Sequence, residues 1–179
     1  AQTDVKRMLA YSSITHTGFL ITGLVGARAS GDLVGGEITA TQSVLFYPTT
    51  YSFMTLGAFA VVSLVRDAGG ETTALARWAG LGRVSPLLAG VFALFLLGFA
   101  GIPLTAGFAG KWAVFAAAMS AGLWPVVVLA VLTSALAAFF YIRVIVVMFF
   151  TDPVGDGPSV ALPSALTTMT IALAVVATV

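Results

Sequence analysis

From Val84 to Met119 the chain runs for about 36 residues with a single charged side chain, Lys111. As one straight helix this stretch would measure roughly 54 Å at ~1.5 Å per residue. That exceeds the ~30 Å of hydrocarbon in a bilayer, even allowing for tilt. The stretch is punctuated by Gly98, Gly101, Pro103, Gly107 and Gly110. Pro103 withholds a backbone donor, and its ring crowds the carbonyl of Phe99. A crossing broken near residues 101–107 into two half-helices satisfies both length and punctuation. Irregular backbone is tolerated at membrane depth where it is buried in protein or lines a wet cavity.

The rest of the chain agrees with a membrane setting. Charged residues make up 8% of the sequence and hydrophobic ones 59%, whereas soluble domains carry about 25% charged residues. Four further apolar segments cover about 8–27, 40–65, 123–150 and 161–179. They are continuous rather than alternating, which favours helices over barrel strands. The expected fold class is therefore an all-α polytopic membrane protein with about five spans, the third discontinuous. The opening "AQTDVKRML" has no initiator Met and the closing "TIALAVVATV" is still apolar, so a part of a longer polytopic protein is expected.

Charge in the short loops sets the orientation. Lys6 and Arg7 precede span one, and Arg66, Arg77 and Arg83 lie between spans two and three. The opposite side has Arg28 beside Asp32 and Glu37. The chain is expected to start on the cytoplasmic side, with 66–83 as a cytoplasmic loop able to carry a short amphipathic helix. Arg143 lies about two turns from the end of span four, and is read as an interfacial anchor or a bundle-interior residue. The aromatics around it read as lipid-facing.

Composition also excludes functions. A net charge of +1 with scattered basic residues gives no nucleic-acid surface. The sequence has no Cys and one His, which removes disulfides, thiolate-bound zinc and Cys-held iron–sulfur clusters and argues against a His-based metal or haem site. There is no dinucleotide fingerprint and no nucleophile–base pair at a usable spacing. No cofactor is expected in this chain, and the chemistry left to it is the movement of a small ion.

Lys111, in "GIPLTAGFAGKW", is the leading candidate. A phosphate-binding loop would need Gly at Thr105 and Ser or Thr at Trp112. A cation at mid-membrane costs about 2.5–3.5 kcal/mol, which suits a proton relay better than a permanent charge. The competing reading is a structural or snorkelled lysine. His16 lies in "YSSITHTGFL" among Ser12, Ser13, Thr15 and Thr17. It reads either as a helix–helix hydrogen bond or as a proton-path member, since imidazole titrates near pH ~6.5. Around Pro48, the residues Tyr47, Thr49, Thr50, Tyr51 and Ser52 either line a hydrated seam or satisfy carbonyls freed by the proline.

"DVKRMLAYSSITHTGFL" (residues 4–20), "GAFAVVSL" (57–64) and "GIPLTAGFAGKW" (101–112) together resemble the antiporter-like membrane subunits of proton-pumping NADH:quinone oxidoreductase, respiratory complex I. The resemblance runs the length of the chain and would match the last five of fourteen helices. It implies that the helix bearing Lys111 is discontinuous and that this lysine sits on a hydrophilic axis used for proton transfer. One sister branch has Glu at the lysine position, and another typically has histidines on the helix matching span two. Lys111 and a span two without His favour the third, N-type branch, the counterpart of mitochondrial subunit 2. Implied partners are the neighbouring antiporter-like subunits and the lipid bilayer, with protons as the transported ion, in a bacterial plasma membrane or an organelle inner membrane. Redox chemistry would lie in other subunits. The family's partner Glu and second axial Lys belong to earlier helices that this chain does not contain. The alternatives are a sodium–proton antiporter subunit and a non-pumping membrane scaffold. A small-molecule transporter is disfavoured, because no polar group beyond Lys111 converges on the break.

Overall fold

The structure, a computed structural model, describes residues 2–30, 40–67, 69–153 and 155–179. Asp32 and Glu37, on which part of the orientation argument rests, lie outside the described residues, as does the side chain of Arg28.

Three helices are long and apolar enough to cross a membrane among the described residues, over 5–27, 44–62 and 124–150. They belong to α1 (Val5–Ser30), α2 (Ala40–Val62) and α6 (Trp124–Phe150). The expected long third span is two shorter helices, α4 (Pro86–Ala100) and α5 (Ala106–Ser120), with the break at 101–105. α4 opens on a proline at its first turn, where the missing donor is harmless. α5 is capped by Thr105, whose hydroxyl accepts from the Phe108 amide at 3.3 Å. α7 (Ala165–Thr178) starts later than the apolar run suggested, because Ser164 caps it through the Thr167 amide.

α2 lies at the centre, packed against α1, α4, α5 and α7, while α6 closes over α4. Phe92, Phe95, Leu96 and Phe99 of α4 fill the core between α2 and α6, with Met54, Ala58, Val61, Tyr141, Val144 and Met148. Small residues set how closely these helices approach, as membrane packing favours. A Cβ on Gly26 of α1 would lie 2.6 Å from the backbone nitrogen of Ala118 on α5. The exposed surface of α6 is correspondingly apolar: Leu129, Leu132, Leu136 and Phe139 are all exposed.

The 66–83 loop differs from expectation. Instead of a surface amphipathic helix it forms a folded cap over one end of the bundle. Strands β1 (Val65–Asp67), β2 (Gly70–Glu71) and β3 (Ser159–Val160) make a small antiparallel sheet in the order β2-β1-β3. A 3-10 turn (Leu75–Trp78) and the short α3 (Leu81–Val84) complete it. Trp78 is fully buried, its indole N–H donates to the Thr72 carbonyl at 3.1 Å, and its ring meets Phe92 at 4.9 Å. The start of the chain is tied in as well: the Val5 amide donates to Thr73 O and the Leu75 amide to Thr3 O, both at 2.8 Å. Asp4 accepts from the Arg7 amide at 2.8 Å and from the Thr73 hydroxyl. Partial burial raises the Asp4 pKa, but these hydrogen bonds outweigh it and hold the carboxyl below its ordinary range.

Candidate functional site

The break in the third crossing builds the site. Gly101 adopts φ 78°, a left-handed conformation open to glycine without strain. It closes a Schellman turn in which the Ile102 amide donates to Leu97 O (3.1 Å) and the Gly101 amide to Gly98 O (3.0 Å). A helix end leaves four carbonyls without intrahelical partners. The turn uses two of them, which leaves Phe99 O and Ala100 O. Lys111 takes both: its Nζ donates to Phe99 O at 2.7 Å and to Ala100 O at 3.0 Å. The third ammonium proton goes to Ser134 Oγ on α6 at 2.8 Å.

Three donors thus meet three acceptors, and the charge sits at the negative end of a helix dipole. Lys111 is buried at 6% exposure, with the Phe19 ring centroid 5.4 Å from Nζ. A snorkelled lysine would extend toward the headgroups; this one folds back into the break. Gly107, one of the expected break residues, lies inside α5 and faces α4, where its missing side chain lets the two half-helices touch. A Cβ there would stand 1.9 Å from Gly98 O. Pro103 occupies the connecting turn, followed by Leu104 at φ 78°.

A second polar cluster lies beside the first. His16 Nδ1 and the Tyr47 hydroxyl are 2.5 Å apart, and the His16 ring stacks on Tyr51 at 4.2 Å between centroids. The Tyr51 hydroxyl donates to Ser13 Oγ at 3.0 Å. Ser12 Oγ and the Tyr141 hydroxyl are 2.5 Å apart. His16 has no direct hydrogen bond to Lys111; the Phe19 ring lies against both, 5.7 Å from the imidazole and 5.4 Å from Nζ, and the Phe99 ring packs on the imidazole at 5.8 Å. Of the expected path residues, Ser12, Ser13, His16 and Tyr51 come together. Thr50 is buried, but its hydroxyl turns back to Phe46 O and Tyr47 O of its own helix. Thr49 and Ser52 likewise bond carbonyls of α2.

Two expectations are corrected here. Tyr141, grouped with the lipid-facing aromatics, is buried at 2% exposure and bonded to Ser12. A phenol buried in a mostly apolar span needs a hydrogen-bond partner, and the sequence carries that signal. The view that no other polar group converges on the break fails at Ser134, whose only sequence signal is the Thr133–Ser134 pair in mid-span. Arg143 is exposed on a groove between α1 and α6, near Tyr11, Ser12 and Tyr141. Lys111 and Ser134 share the wall of a second open groove, of about 850 Å³, between α5 and α6, with Trp112, Phe115, Val127 and Val131. Among the described residues no His, Asp and Glu side chains group to hold a metal ion.

Architecture and site together define a class: a helical membrane protein organised round a discontinuous helix whose end carbonyls hold a buried lysine. Comparison with known proteins gives the family. Residues 1–137 match the family described as "NADH:quinone oxidoreductase/Mrp antiporter, TM", and the chain belongs to it. It is 62% identical over 177 residues to NADH-quinone oxidoreductase subunit N 3 of Streptomyces griseus, covering 99% of this chain and 30% of that protein. Subunit N of a Nocardioides species is 60% identical over 181 residues, covering 99% of this chain and 34% of the relative. The chain thus spans about a third of the length of these curated relatives. A chain of respiratory complex I from Thermus thermophilus superposes with a TM-score of 0.78 at 34% identity, over 98% of this chain and 37% of that one. A chain of the Mrp complex from a Dietzia species shares the fold, with a TM-score of 0.58 at 19% identity, over 94% of this chain and 44% of that one.

Proposed function

We propose that this chain is the C-terminal part of a proton-translocating, antiporter-like subunit of a respiratory complex I, with Lys111 as its proton-carrying group. The observation that carries the reading is the seat of the Lys111 ammonium on the two carbonyls freed by the broken helix. Such a seat stabilises the charged lysine in a place where charge is otherwise expensive. It also leaves the lysine sensitive to neighbouring charges, because a like charge nearby in low dielectric raises the energy of the protonated form by several kcal/mol. Proton loss from Lys111 is then coupled to the charge state of adjoining sites, and electron transfer from NADH to quinone in other subunits drives the cycle.

Subunit N relatives from bacteria support a complex I setting in a bacterial plasma membrane, with the other membrane subunits of the complex as partners. NADH and redox centres belong elsewhere in the complex. His16 and the hydroxyls around it form a second leg of the path, on the far side of Phe19 and Phe99. Sodium–proton exchange finds less support: the carbonyl and hydroxyl oxygens of the seat are of a kind that coordinates Na+, but all three are taken by the Lys111 ammonium.

The test is Lys111→Met in the intact complex in proteoliposomes, with assembly checked on a native gel. NADH-driven proton transport and quinone reduction are both expected to fall sharply in an assembled complex. Undiminished pumping would make Lys111 structural and reject the proposal; loss of assembly alone would favour a scaffold role. Pumping that depends on sodium would favour the antiporter reading.

A further inference from the structure

We propose that Ser134 is the group through which Lys111 passes its proton to the cavity between α5 and α6, acting as a two-way hydrogen-bond partner; this rests on the proton-carrying role of Lys111. Of the three acceptors around Nζ, Phe99 O and Ala100 O are carbonyls that can only accept. Ser134 Oγ, 2.8 Å from Nζ, is the one that can also donate. A neutral amine has two N–H donors and one lone pair. Its donors fit the two carbonyls unchanged, and its lone pair requires a donor where the third proton stood. Ser134 supplies that donor without any heavy atom moving.

The transfer balances. The Nζ–H bond toward Ser134 breaks as its proton bonds to Oγ. The proton already on Oγ leaves to a water that reaches Ser134 from the open side of the groove, giving hydronium. What remains is a neutral Lys111 and an intact Ser134 whose O–H now points back at the amine. The hydrogen bond has reversed polarity over the same 2.8 Å. Reloading runs the same steps backwards. The position of Ser134 favours this exit: it is half-buried and, with Lys111, is one of the few polar groups lining an open, mostly apolar groove of about 850 Å³. Toward His16, the apolar ring of Phe19 lies against both groups.

An isosteric pair tests the hydroxyl apart from packing. Ser134→Thr keeps the hydroxyl and adds a methyl; Ser134→Val has the shape of Thr without the hydroxyl. Ser134→Ala adds a variant with no extra bulk. Each is placed in the intact complex, checked for assembly, and assayed for NADH-driven proton transport in proteoliposomes beside Lys111→Met. Positioned proton-transfer groups typically contribute a hundredfold or more to their own step, so pumping is expected to fall about tenfold or more in Val and Ala. Thr should recover most of the wild-type rate. Equal pumping by Thr and Val, whether both normal or both impaired, overturns the proposal, since the hydroxyl would then be irrelevant. A normal Ser134→Ala complex beside an inactive Lys111→Met complex overturns this inference alone. An active Lys111→Met complex overturns the proton-carrying reading on which it stands.

Discussion

At the scale of single residues, the site depends on positions where one atom too many, or one strained angle, is decisive. Gly107→Ala would put a methyl 1.9 Å from Gly98 O, a backbone atom with little room to yield. Overpacking of this kind costs about 1–3 kcal/mol or more, and here it would separate the half-helices and pull Lys111 off its carbonyls. The expected outcome is a poorly assembled complex on a native gel, with the remainder impaired in pumping. Normal assembly and pumping would show that the half-helices need not touch. Leu104 points the other way. Its φ of 78° costs a non-glycine residue about 1–2 kcal/mol, and at 93% exposure it gains no packing within this chain. Glycine relieves the strain but adds roughly 0.5–1 kcal/mol of chain entropy. Leu104→Gly should therefore be neutral to slightly stabilising in the thermal midpoint of the purified complex. A clear drop would mean that the leucine is covered in the complex. At this scale Lys111 and its break were readable from sequence, because an isolated cation and a Gly/Pro cluster are rare in an apolar run. Ser134 was not, since hydroxyls are common in membrane helices and most simply bond their own backbone, as Thr49, Thr50 and Ser52 do.

At the scale of elements, the long helices follow from apolar length and the cap does not. α6 begins and ends within a residue of its apolar run, whereas α2 stops at Val62 and hands Val65 to a strand. Strands of two or three residues carry no measurable alternation, and the partner of β1 at Ser159 lies more than ninety residues on. What makes the cap is burial of Trp78 and Leu81 over the end of α4, together with its ties to the start of α1. Asp4 joins these parts, capping α1 through the Arg7 amide and holding Thr73. Asp4→Ala should cost about 1 kcal/mol, in the range of other lost N-caps. Amide hydrogen exchange should show it locally: faster exchange at Val5, Arg7 and Leu75, with the middle of α6 unchanged. Uniformly unchanged exchange would mean that the sheet and the Lys6–Glu71 pair hold this end by themselves.

For the whole molecule, the arrangement of elements decides which polar groups act together. α2 carries Tyr47 and Tyr51 to His16 of α1, and α6 brings Tyr141 to Ser12 and Ser134 to Lys111. α6 therefore touches both clusters at points two turns apart, with the Phe19 ring against both His16 and Lys111. Two legs separated by apolar rings need not fail together. His16→Phe removes the imidazole but can keep the ring stack on Tyr51, and Tyr47→Phe removes only its hydrogen-bond partner. If the cluster is a leg of the path, both substitutions should slow proton transport several-fold without abolishing it, while leaving assembly intact, because Lys111 keeps its own seat and its own cavity. Equal and complete loss in His16→Phe and Lys111→Met would instead mean one continuous path through Phe19. Unchanged pumping in both would assign the His16 cluster to helix association. The intermediate result is the one the geometry favours, since no hydrogen bond among the described residues joins His16 to Lys111 and the group in contact with both is the apolar Phe19 ring.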